Sequence, residues 1–452
     1  MRRRLRRVIE VIVVLAILAI PYGYYRWRSS NALNQILAEL DGAGEPWKLA
    51  DLEALKKDVP DDKNAAVLMR KARLPGPGKL NPPLEELKLA PNELLHPAEQ
   101  VKVREFLDRV GENLETLRDL ADYPQGEFHT KLAPDVISTL LPHVQETREL
   151  GVLFRHDIWL RVQQADFDGA ARTCQATINA SRALREEHFL ISHLVRLAML
   201  RDAANCVERI LGQGQPPVEA LAKLQKLLQE EADFDGVTRA MQGERAAMHQ
   251  LFQYIAANKM DMRLLRGLAG ARSDWHDTLT DVFAGVTAEQ SHAWILRHTT
   301  EELAALRLPP PERAARLKEL HEGIDKAPAI ARMLTAPFWR NCYPVFARSE
   351  AKLNCTIAGL AAEQFRRKHE RWPKSLDELT PEFLAKTPLD PYSGDALQLR
   401  VVADGIVIFS PGPHGVLRGA GRDQPQTAND ESAYFDHECR LWNVDQRRRV
   451  AK

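Results

Sequence analysis

Hydrophobic positions follow three regimes along the chain. Val8 to Tyr25 is an almost unbroken apolar run, interrupted only by Glu10, Pro21 and Gly23. From about residue 100 to 370 apolar residues recur at three- and four-residue intervals, the period of a helix with one buried stripe. Near the C-terminus the interval becomes two: Leu397, Leu399 and Val401 alternate with Gln398 and Arg400, which predicts a half-buried strand. Asp404-Gly405 then predicts a two-residue hairpin turn, with 406–410 as the returning strand.

In the helical stretch, Ala171, Cys174, Ile178 and Ser181 share one stripe, and Leu190, Leu194, Leu197, Ala204 and Leu211 share another. Only Arg185-Glu186-Glu187-His188 separates them, so two antiparallel packed helices are expected. Breaks fall at 212–217 and at Pro309-Pro310-Pro311. Ala165-Asp166-Phe167-Asp168-Gly169 recurs as Ala232-Asp233-Phe234-Asp235-Gly236. The recurrence marks either an internal repeat or two helix starts, each capped by an Asp and stapled by a Phe. Residues 349–371 predict one amphipathic helix burying Leu353, Ile357, Leu360, Ala361 and Phe365, ended by Trp372-Pro373. Ser375-Leu376-Asp377-Glu378 reads as a capping box, and Thr380-Pro381 as the start of a short helix over 382–386.

Charge changes the picture at the N-terminus. The chain holds 62 basic and 62 acidic residues, yet residues 1–28 contain seven Arg and only Glu10, a local excess of six positive charges. Eighteen residues at about 1.5 Å each span ~27 Å, enough for the hydrocarbon layer of a bilayer. Arg2, Arg3, Arg4, Arg6 and Arg7 before the run place the N-terminus in the cytoplasm, and Tyr22, Tyr24, Tyr25 and Trp27 suit the outer headgroup region. The expectation is an uncleaved signal anchor; a cleaved signal peptide is the competing reading, disfavoured by bulky aromatics where small residues would mark a cleavage site. Glu10 lies one turn from Arg6 and Arg7, which can pair with it. The predicted layout is an Arg cluster and membrane anchor (1–28), helical patches with a Pro-rich connection (29–99), a helical-hairpin domain (100–345), an α+β module (346–440) and a basic, solvated tail (441–452). The fold class is thus mainly α, with one transmembrane helix, an array of helical hairpins and a small C-terminal module bearing an antiparallel hairpin.

Two segments resemble known proteins. Val8 to Ile20, with Glu10 near its start, resembles the N-terminal helix of type IV pilins and type II secretion pseudopilins. In that family the glutamate meets a neighbouring subunit's terminal amine during assembly. More extensively, residues 349–415 resemble the globular head of major pseudopilins: a helix, then Glu370-Arg371-Trp372-Pro373-Lys374-Ser375-Leu376, then Thr387-Pro388-Leu389-Asp390-Pro391-Tyr392-Ser393-Gly394, a hairpin, and Phe409 to Gly415. The resemblance implies a helix on a small antiparallel sheet followed by a loop that often holds calcium. At the equivalent positions stand Ser410, Gly412, His414 and Gly415, with His414 where the family places an Asp, so no metal is expected.

Candidate chemistry is sparse. No phosphate-binding glycine loop, no nucleophile elbow and no paired-histidine zinc motif occurs. His188 and His193, and His292 and His298, are spaced to lie on different helical faces and are expected at interfaces or exposed. Five Cys exclude a disulfide-dense scaffold, and Cys206 is expected about 10 Å from the point opposite Cys174, too far for a bridge. Asp58, Asp61 and Asp62 read as a solvated turn, and no run of cations suits nucleic acid. No cofactor and no catalytic residue is assigned. The sequence therefore points to a single-pass bacterial inner-membrane protein, with its bulk periplasmic. It would bind or scaffold a protein partner in a secretion or envelope assembly. The alternative is an extracytoplasmic hydrolase with dispersed site residues.

Overall fold

A computed structural model describes residues 2–72, 81–84, 89–257, 276–335, 339–414 and 437–450; side chains of residues 2–12, 14–16, 18, 276–286, 339–341 and 414 lie outside the description. The helices are α1 (Arg2–Gly42), α2 (Leu49–Ala54), α3 (Ala65–Lys71), α4 (Pro97–Asp108), α5 (Glu112–Arg118), α6 (Pro142–Gln163), α7 (Phe167–Arg182), α8 (Leu190–Gln213), α9 (Val218–Ala232), α10 (Gly236–Ala256), α11 (His276–Leu306), α12 (Pro310–Gly323), α13 (Ala329–Thr335) and α14 (Trp339–His369). The strands are β1 (Glu93–Leu94), β2 (Gln398–Val402), β3 (Gly405–Phe409), β4 (Glu438–Trp442) and β5 (Arg449–Val450). The protein is mainly helical, with β2-β3-β4 forming a small antiparallel sheet near the C-terminus.

Whereas Leu190, Leu194 and Leu197 of α8 pack with Ala240, Cys342 and Phe346, the first predicted stripe and the end of the second meet in one core, with Ala171, Cys174 and Ile178 of α7 and Ala204 and Leu211 of α8. The same core takes in Ile158 of α6 and Leu224 of α9, then Leu353, Ile357, Leu360 and Phe365 of α14, then Ile406, Ile408 and Leu441 of the sheet. The boundary expected between 345 and 346 thus falls inside α14, and buried apolar contact continues across it. A second core joins α3–α7 and a third joins α10–α13.

Both copies of the recurrent pentapeptide begin helices, but with different caps. Asp166 accepts from the Gly169 amide at 2.9 Å, whereas Asp235 accepts from the Thr238 amide at 3.1 Å. In the matched register Asp166 corresponds to Asp233 and Asp168 to Asp235, so equivalent residues do different jobs. Local capping chemistry accounts for the likeness.

Several expectations are corrected. The predicted helix at 349–371 begins earlier, at Trp339, and runs through Pro344. Ser375 makes no side-chain cap, and Leu376–Leu379 is a 3-10 turn. Thr380–Pro381 is a cis peptide, and 382–386 forms turns instead of a helix. The hairpin turn sits at Ala403-Asp404, since Val402 pairs with Gly405. Gly405 has φ of +155°, and a Cβ there would lie 1.9 Å from the Leu441 carbonyl oxygen, so β4 approaches where only glycine fits. Val401 is exposed, although its cross-strand partner Ile406 is buried in the core.

The basic tail is solvated only in part: Arg449 is exposed, but the two arginines before it are held by the body. Arg447 is buried, donates to Trp442 O at 3.1 Å and pairs with Glu363 at 2.9 Å. Arg448 donates to the carbonyls of Val162 and Gln163 at 2.8 and 3.0 Å. Arg449 and Val450 pair in parallel with Glu93 and Leu94. Carbonyls left over at helix ends and strand edges recruit these cations, a demand that local sequence does not display.

Candidate functional site

At about 1.5 Å per residue the 41 residues of α1 extend ~60 Å. Its second half is fixed to the body. Arg26 pairs with Glu289 of α11 at 3.0 Å, Ser30 donates to the same carboxylate, and Ile36 and Leu40 pack with Trp47, Ala293 and Leu296. Among the described side chains of its first half, Val13, Ile17 and Ile20 are 48%, 63% and 71% exposed, and Tyr22, Tyr24 and Trp27 are exposed beside them. The side chains of Arg6, Arg7 and Glu10 lie outside the described residues. No helix among the described residues is long and apolar enough to cross a membrane.

Hydrogen bonds organise the described part of the calcium-loop equivalent. Buried Ser410 donates to Asp390 at 2.8 Å, its hydroxyl oxygen accepts from the Gly412 amide at 3.1 Å, and Tyr392 OH meets His437 at 3.2 Å. His414 follows in a 3-10 turn, and Gly415 lies outside the described residues, as do Asp423 and Asp430. No group of three metal-ligating side chains occurs among the described residues.

A deeply buried charged cluster was not singled out by sequence. Glu231, at the end of α9, is bound by Arg182 at 2.7 Å, by Arg185 at 3.4 Å and by fully buried Arg196. Burial opposes ionisation of Glu231, but the three guanidiniums hold its carboxyl below the usual range. Arg185 and Arg196 also lie 4.3 and 4.6 Å from the Phe234 ring. Beside this cluster opens a cleft of about 220 Å³ between α8, the α9–α10 turn, α12 and α14, with Asp233, Asp235, Arg313 and Glu350 among its lining residues. The second copy of the pentapeptide is therefore a cleft wall. Its capping role was legible; its position opposite α14 depends on contacts more than 100 residues away in sequence.

Histidines expected at interfaces or exposed are buried in polar networks. His143 meets Glu187 at 2.6 Å, and Ser192 donates to the other Glu187 oxygen. A Ser-based nucleophile needs imidazole next to its hydroxyl; here the carboxylate stands between them, an order that cannot deprotonate Ser192 through His143. His193 donates to the Glu187 carbonyl at 2.8 Å, and burial with the nearby Arg196 pushes it down to about 3. His249 and His292 share a 3.0 Å hydrogen bond and are pushed down by burial to about 4 and 3. Glu302 holds His298 at 3.4 Å and His321 at 2.9 Å. All five cysteines are free and buried; Cys174 donates to Ala203 O at 3.5 Å, one turn beyond the level expected.

No protein-family model, no curated protein and no solved structure matches this chain. The functional reading must come from its own geometry.

Proposed function

We propose that the protein is a membrane-anchored extracytoplasmic binding or scaffolding protein. One observation carries the reading: α1 is clamped to the body from Tyr25 onward, yet it exposes Val13, Ile17 and Ile20 along its first half. Isolated apolar residues at a surface are ordinary, but a row of them on a projecting rod calls for a lipid or protein covering. By sequence, counting the residues whose side chains lie outside the description, 8–25 are long and apolar enough for lipid, and the aromatic group at 22–27 suits the headgroup level. Five Arg before the run orient the bulk of the chain outward.

Partner binding in an envelope or secretion assembly follows from the resemblance of the C-terminal part to pseudopilin heads. The packing of α14 against an antiparallel sheet supports that comparison at the level of arrangement. Flotation of the full chain with liposomes tests the anchor. The wild type should float, and Ile17→Arg should sink, since a central charge costs about 2.5–3.5 kcal/mol. Wild-type protein remaining at the bottom of the gradient would refute the reading.

A further inference from the structure

We propose that Glu438 works a proton-operated latch between the helical array and the C-terminal sheet. With its carboxyl protonated, the start of β4 stays docked on α8 and α14; with the carboxylate formed, the dock loosens. The inference goes beyond the binding reading and does not depend on the membrane anchor.

Hydrogen bonds define the dock. Lys352 of α14 is buried and donates to Glu208 of α8 at 2.9 Å and to the Glu438 carbonyl at 2.8 Å. The other oxygen of Glu208 accepts from the Arg440 amide at 3.2 Å. One ammonium and one carboxylate thus tie β4 to both helices at once.

Charge makes the dock sensitive to protons. Lys352 is matched by Glu208, and Arg440 is matched by Asp404 through two bonds of 2.9 Å. Arg209, next to Glu208, turns to the carbonyls of Leu89, Ala90 and Glu93. The β3 strand carries no titratable side chain, and Arg400 of β2 lies over the Phe409 ring, one strand further on. Burial pushes the neighbouring Cys355 and Cys439 up, so both stay thiols, and His437 meets Tyr392 OH at 3.2 Å. Half-buried Glu438 is therefore the odd carboxyl of the group: none of the hydrogen bonds and ion pairs among the described residues uses its side chain. Ionised, it competes with Glu208 for the one ammonium of Lys352 and repels Glu208. Burial and then the Glu208 charge push its carboxyl up to about 7.

Hydrogen exchange of the full chain in detergent micelles tests the latch at pH 6 and pH 8, corrected for intrinsic rates and read on peptides spanning 438–442. Opening returns the carboxyl to its ordinary 4.5, so the stabilisation is complete below 4.5 and is lost as pH rises through about 7. Protection of β4 in the wild type should therefore fall about tenfold from pH 6 to pH 8, while α7 shows no such fall. Glu438→Gln keeps the neutral shape at both pH values and should hold the protection seen at pH 6. Glu438→Ala, which cannot titrate either, should also lose the pH dependence. A wild-type change in β4 below about twofold, an equal fall in α7, or a fall of about tenfold that persists in either folded variant overturns the proposal.

Discussion

Glu363 shows how single residues hold the C-terminal part in place. Its fully buried carboxylate receives Arg366 at 2.7 Å and Arg367 at 3.2 Å from its own helix, and Arg447 from 84 residues away. Glu363→Ala should cost about 3–5 kcal/mol, because Arg447 would remain buried without its counter-charge. Urea unfolding reads the loss, and a midpoint shift equivalent to less than 1 kcal/mol would contradict the role. The helical partners were legible as one-turn neighbours. Arg447 was not, since three consecutive arginines near a chain end look solvated until the fold supplies the acceptors. For His188, His193, His292 and His298 the sequence left interface and exposure both open, and all four are buried: spacing shows which face a residue takes, but not whether another element covers that face.

Those histidines also set a pH response. His193, His249 and His292 are depressed to about 3, 4 and 3, below the ordinary value of 6.5. The unfolded chain therefore binds more protons between about 6.5 and 4, and stability falls as pH falls through that window, by up to about 1.4 kcal/mol per unit for each histidine. Glu438 acts oppositely: burial and then Glu208 raise it to about 7, so its contribution is lost as pH rises from its ordinary 4.5 toward 7. Burial likewise pushes His156 and His188 down to about 4, so five depressed histidines stand against Glu438 and the burial-raised carboxyls Glu127, Asp202, Glu244 and Glu350. Unfolding midpoints at pH 7 and 5 should show a net loss at pH 5, reduced in His292→Gln; a gain at pH 5 would contradict the assignment.

At the level of elements, the period of apolar residues was a sound guide, because α6–α10 each bury a stripe against neighbours close in sequence. Short elements were less legible. Thr380-Pro381 had the right residues for a helix start, yet 382–386 has no second apolar turn to reward one, and the segment instead buries Leu379 and Leu384 against α14 and α9. Caps make a sharper test. Asp166→Ala should lower stability by about 0.5–2 kcal/mol, whereas Asp168→Ala, exposed and outside the cap, should be near neutral. Equal effects in thermal unfolding would restore the repeat as an explanation. The calcium-loop equivalent was legible in its residue types, but the Ser410–Asp390 hydrogen bond that organises it joins positions twenty residues apart.

On the scale of the whole molecule, one core passes from the α6–α9 array through α14 into the sheet, and β5 returns to pair with β1. Strain or load at the C-terminal sheet must therefore reach the array that carries the cleft, while α1 joins the body mainly along α11. The balanced total charge concealed this division, since the Arg cluster at one end is offset along the rest of the chain. The most direct test of the central claim is protease access to a tag placed after residue 452 in bacterial spheroplasts, with alkaline carbonate extraction alongside. The tag should be digested without lysis while the chain stays with the membrane pellet; a tag protected until lysis, or release of the chain by carbonate, would contradict the account.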